Sequence, residues 1–114
     1  MKNTEEIKKR YLQDELPSRL GGIAANLARM NSFSSNDNHL RAIESLLDES
    51  KYFIEWTVKD APIEIQGLLI QIQIQLALWQ VQLMRFWTDT KKRHSFANIV
   101  NKWSQELLKL SGLM

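Results

Sequence analysis

Between Ile65 and Trp87 the chain carries two apolar arcs on opposite sides of one helical path. At roughly 100° per residue, Ile65, Leu68, Leu69, Ile72, Leu76, Trp79, Leu83, Phe86 and Trp87 fall in the first arc. Ile70, Ile74, Ala77, Val81 and Met84 fall in the second. Glutamines separate the two, with Gln66, Gln73 and Gln80 on one flank and Gln71, Gln75 and Gln82 on the other. A bundle helix needs one apolar stripe; a helix with two asks for polypeptide on both sides. With Ile74 and Val81 bathed in solvent, or the stretch paired edgewise in a sheet, this architecture and the case for self-association would both collapse.

A strand is the rival reading, because Ile70 to Leu76 alternates apolar and polar residues strictly. Length decides against it: about 27 residues without a turn signal is too long for a strand and easy for a helix. Gln, Leu, Ala and Met are also good helix formers.

The rest of the chain is punctuated like a helical protein. Its 114 residues suit one domain spanning 1–114, and only four glycines and two prolines interrupt them. Asn3 or Thr4 can cap a first helix, with Glu6 at capping-box spacing from Asn3. Pro17 disfavours helical geometry at Leu16 and suits the first turn of a new helix, so the first helix is expected to kink or split there. Leu20, Ile23, Ala24 and Leu27 then line one face, while Gly21 and Gly22 are best explained by close approach of another backbone. Asn31 to Asn38 reads as a polar loop pinned by Phe33. Asn36, Asp37 or Asn38 can cap the next helix, which runs to about Lys59 with Leu40, Ile43, Leu47, Ile54 and Val58 as its buried stripe. Pro62 can begin the double-faced helix, which is expected to end near Asp89 to Arg93. A last helix, from about Ser95 to Leu110, buries Phe96, Ile99, Val100, Trp103, Leu107 and Leu110, with Gly112 as its stop. These elements predict an all-α protein, a four-helix up-down bundle with a first helix kinked or split at Pro17.

Chemistry is sparse. With no cysteine, disulfides, thiolate metal sites and cysteine nucleophiles are excluded. Neither His39 nor His94 has a Glu three residues before it, the spacing a helical di-metal site uses, and neither has a partner set typical of nucleophilic catalysis. No enzyme, cofactor or metal is expected. A net charge of +2, with acids and bases interleaved, argues against a dedicated nucleic-acid binder. The cluster Lys91, Lys92, Arg93 and His94 reads first as cations suiting a helix C-terminus, and second as a phosphate contact joined by Lys102 and Lys109. The charged start, Met1 to Arg10, lacks the apolar run of a secretory signal, and glutamine every second residue speaks against a membrane span. A cytoplasmic protein is expected.

Glu49-Ser50-Lys51-Tyr52-Phe53-Ile54-Glu55-Trp56, Leu110-Ser111-Gly112-Leu113 and Leu16-Pro17-Ser18-Arg19-Leu20-Gly21-Gly22 resemble stretches of short all-helical cyanobacterial proteins that carry no assigned activity. The resemblance would cover most of the chain. It implies a cyanobacterial origin and brings no catalytic or binding residues with it.

The functional expectation is therefore a non-catalytic interaction or scaffold protein, a homodimer through the second arc of the helix spanning 62–90. The candidate interface is Ile70, Ile74, Ala77, Val81 and Met84, with Trp56 added because it lies off its own helix's stripe. Two alternatives stay open: the first helix could cover the second arc, and Trp56 could equally cover the first helix. Another protein is a possible partner besides the chain itself. The alternative function is a small regulatory nucleic-acid binder using residues 91–94. A third is an enzyme or ligand carrier with a pocket between helices, near Gly21-Gly22 or Trp79.

Overall fold

The computed structural model describes residues 3–112; the Met1 and Lys2 of the charged start and the Leu113 of the resemblance lie outside them. Five α-helices make up the fold, and no strand occurs among the described residues. They are α1 (Thr4–Tyr11), α2 (Leu16–Phe33), α3 (Leu40–Thr57), α4 (Ile63–Phe86) and α5 (Thr90–Ser111).

The first two helices are separate elements. The break falls at residues 12–15, upstream of Pro17, which sits in the first turn of α2 where its missing N–H has no helical bond to lose. The expected capping box does not form. Asn3 adopts a left-handed backbone conformation, and its side chain makes no cap bond. Asn36 does act as a cap, accepting from the Asn38 N–H at 2.9 Å, but it caps a single 3₁₀ turn that leads into α3. A second such turn, Val58–Asp60, closes α3. Pro62 stands one residue before α4, and its carbonyl receives the first helical bonds, from Ile65 and Gln66.

One hydrophobic core joins α2, α3, α4 and α5. Every member of the first arc of α4, Ile65 through Trp87, is buried in it. Leu20, Ile23, Ala24 and Leu27 of α2 meet it, as do Ile43, Leu47 and Ile54 of α3. Two assignments on α5 are corrected: Ile99 and Leu110 are partly exposed, and Leu108 packs against the core at the C-terminal end of the helix. Gly112 takes a left-handed conformation and stops α5, as glycine does most easily.

The most extensive helix pairing is between α2 and α5. The Ser104 hydroxyl donates to the Ala24 carbonyl at 2.8 Å, which brings α5 against the backbone of α2 at a small residue. Gly22 serves another purpose: a Cβ there would stand 3.8 Å from Cε1 of Tyr11, an ordinary contact with a ring and not with a backbone.

Tyr11 is what ties α1 down. Its ring stacks on Phe53 at 4.2 Å between centroids and tilts against Trp56 at 5.9 Å. Its hydroxyl donates to the Arg19 carbonyl at 2.9 Å and shares a 3.0 Å bond with the Thr57 hydroxyl. The Arg19 guanidinium continues this tie to Asp60 at 3.0 Å. Desolvation pushes the Tyr11 phenol up to about 12, outweighing the opposing effect of the Thr57 bond.

Candidate functional site

The second arc of α4 is where the fold leaves apolar surface unused. Ile74 is 60% exposed, Val81 80% and Met84 73%; Ile70 is about half exposed and Ala77 partly so. The expectation of protein on both flanks thus fails within the single chain. With Ile74 and Val81 in solvent, the requirement that this helix be sheathed on both flanks falls, and with it the inference of self-association from that need; the all-helical fold stands because the first arc alone supplies the core contact. Of the two covers considered for the second arc, the first helix is excluded, since α1 lies on α3 through Phe53 and Trp56. Trp56 is accordingly withdrawn from the interface set: it is 6% exposed and forms the seat of α1.

Geometry extends the arc beyond the residues expected from sequence. Ile63 at the start of α4 is 78% exposed and Leu78 about half. Ile63, Gly67, Ile70, Ile74, Ala77, Val81 and Met84 follow one another at steps of four, three, four, three, four and three residues. That is the seven-residue repeat of a coiled-coil seam. The buried seam of the same helix, Ile65, Leu69, Ile72, Leu76, Trp79, Leu83 and Phe86, has the identical step pattern. Gly67 is the member that sequence reasoning missed most plainly. A Cβ on it would meet nothing within 4 Å, so no contact inside the chain calls for glycine there. A glycine in a helix interior costs about 1 kcal/mol relative to alanine.

The two glutamine columns have different tasks. Gln66 donates to the Val58 carbonyl at 2.9 Å, Gln73 donates to the Lys51 carbonyl at 3.3 Å, and Gln80 accepts from the Lys51 ammonium. This column bolts α4 to α3. For Gln71, Gln75 and Gln82, on the other flank, no such bolt is recorded, and there the surface carries Glu64 near the start of the helix and Arg85 near its end, both exposed.

The basic cluster lies elsewhere than expected. Asp89 caps α5, its carboxylate accepting from the Lys92 N–H at 3.2 Å, so residues 91–94 begin a helix. Cations there oppose the macrodipole, which removes the C-terminal explanation. Arg93 is 7% exposed and structural: it donates to the Ser34 carbonyl at 3.1 Å and the Trp87 carbonyl at 2.7 Å, with its guanidinium over the Trp87 ring. A phosphate contact would have to rely on Lys91, Lys92 and His94 without it. The Trp87 indole in turn donates to the Asp37 carbonyl at 3.0 Å. Arg93 and Trp87 pin this loop together with Phe33, whose ring packs against the core and tilts against His39 at 5.0 Å.

An open groove of about 390 Å³ separates the end of α4 from the start of α5, lined by Trp79, Phe86, Phe96 and Ile99 with Arg85 and Lys92 among its polar residues. Among the described residues, no three His, Asp or Glu side chains gather as a metal site would require. By length and composition α4 is apolar enough to cross a membrane, glutamines notwithstanding, although its first arc packs as a core helix does.

No protein-family model, curated protein or solved structure matches the chain.

Proposed function

We propose that this protein is a non-catalytic interaction or scaffold protein that works as a homodimer, with the second arc of α4 as the contact between subunits. One observation carries the reading: the exposed seam keeps the same seven-residue repeat as the seam buried in the core. A face meant for water has no physical reason to hold isoleucine, valine and methionine in register over three repeats. A two-fold dimer is the commonest way to cover such a stripe. In the same reading, α2 to α5 act as the four-helix up-down bundle, with α1 as a strap over α3, and the protein works in the cytoplasm.

Light scattering at micromolar concentration tests it. The wild-type chain should show the mass of two chains. Ile74→Glu, at a site 60% exposed, should return it to one chain with unchanged helical circular dichroism. A wild-type mass of one chain would remove the dimer.

A further inference from the structure

Resting on that reading, we infer that the two subunits pair α4 against α4 antiparallel, in a register that sets Gly67 against the partner's Met84, Ile70 against the partner's Val81, and Ile74 against the partner's Ala77. Two observations select this arrangement from the alternatives, and a third bears on whether two copies would hold together.

The first is volume. In an antiparallel seam each layer combines positions from the two alternating sets of the repeat. This register puts each small residue opposite a large one, Gly67 facing methionine and Ala77 facing isoleucine. A parallel pair would stack Gly67 on glycine and Ala77 on alanine, leaving two hollow layers, and hollow layers forfeit packing energy. Sliding the antiparallel pair by one repeat sets Gly67 against alanine, small on small, and leaves Met84 beyond the seam where the favoured register leaves Ile63. The open space beside Gly67 is the notch this register fills.

The second is charge. Glu64 and Arg85 lie on the same flank of α4, near opposite ends, and among the described residues neither forms an ion pair. Antiparallel pairing in this register brings Glu64 beside the partner's Arg85 twice, once at each end of the seam. Parallel pairing keeps the two charges at opposite ends of the interface. Helix dipoles also favour the antiparallel choice.

The third is area. The exposed apolar side chains of α4 present on the order of 600 Å² per chain, so two copies cover on the order of 1,200 Å², the lower end of what stable interfaces bury.

Cysteine chemistry tests the pairing cleanly, because the chain has no cysteine of its own. Ile70→Cys and Val81→Cys chains are mixed and mildly oxidised, and products are separated on a non-reducing gel using chains of two tagged lengths. A disulfide joining one chain of each kind, with little self-crosslinking by either alone, is the expected result. Gly67→Cys mixed with Met84→Cys should behave the same way. Self-crosslinking of Val81→Cys would overturn the antiparallel arrangement while leaving the dimer standing. A wild-type monomer by light scattering would overturn both. As a second measurement, Glu64→Lys and Arg85→Glu should each weaken association roughly tenfold at low salt, and the double variant should recover it. Failure of the double variant to recover would overturn the charge pairing.

Discussion

The two faces of α4 are written in nearly the same alphabet and meet opposite fates. Both repeat isoleucine, leucine and their like at steps of three and four along the helix. One face is closed over by α2, α3 and α5, and the other stands in solvent. The difference lies in size and in neighbours. The buried face carries the aromatics Trp79, Phe86 and Trp87, which mesh with Phe96 and Trp103 of α5 at centroid distances of 4.6 to 6.1 Å. The exposed face carries no aromatic and holds a glycine and an alanine, residues suited to close approach and poor at filling a core. Hydrophobic repeat alone, then, says that a face wants a partner. Side-chain size says what kind: bulky rings for a core with curved surroundings, small and β-branched residues for another straight helix.

The contrast can be broken most forcefully from its buried side. Leu76→Ala should cost about 2–5 kcal/mol in urea unfolding, because the fully buried leucine leaves a cavity. If Leu76→Ala costs no more than a change at Val81, the division of α4 into two faces is wrong.

Alkaline pH probes the fold without touching the open seam. With its pKa raised to about 12, the Tyr11 phenol keeps its proton in the folded chain at a pH where the unfolded chain, near 10, has lost it. Stability should therefore be intact below pH 10 and fall as pH rises to about 12, by at most about 2–3 kcal/mol. Tyr11→Phe should flatten this loss in a pH series of denaturation curves.

Gly67→Ala sharpens the contrast, since its two effects should have opposite signs. The added methyl meets open space within the chain, so the fold should gain about 1 kcal/mol of thermal or chemical stability. The same methyl fills the notch that a partner would use, so association should weaken in sedimentation equilibrium. The smallest effect belongs to Val81→Ser. At a site 80% exposed it should change unfolding free energy, in a chain kept monomeric by dilution, by no more than about 0.5 kcal/mol.

How much of this was readable from residues alone depends on where tertiary contacts intrude. Both arcs of α4 could be assigned, because periodicity over more than twenty residues averages out local exceptions. Gly67 was harder, since a glycine has no side chain with which to mark a face. The boundary between α4 and α5 was misplaced by several residues. Asp89 was the available cue, a capping residue just before Lys91 and Lys92, but the run of cations after it looked like the end of the preceding helix. The buried guanidiniums of Arg19 and Arg93 carried no signal at all. Each is held by carbonyls or a carboxylate distant in sequence, and nothing local separates such an arginine from a solvated one. Trp56 was ambiguous for a related reason: the residue that claims it, Tyr11, belongs to a helix whose charged sides suggested solvent all round.

The hydroxyl of Ser104 reaching the carbonyl of Ala24 joins residues eighty positions apart, and it marks the most extensive helix pairing in the molecule. During synthesis the chain emerges from its N-terminus, so α2 waits through the making of α3 and α4 before its main neighbour leaves the ribosome. For that interval the long helix has α3 beside it but lacks the α5 rings, Phe96 and Trp103, on which its aromatic end packs. A chain truncated before α5 should therefore be a sticky fragment and not a smaller version of the fold.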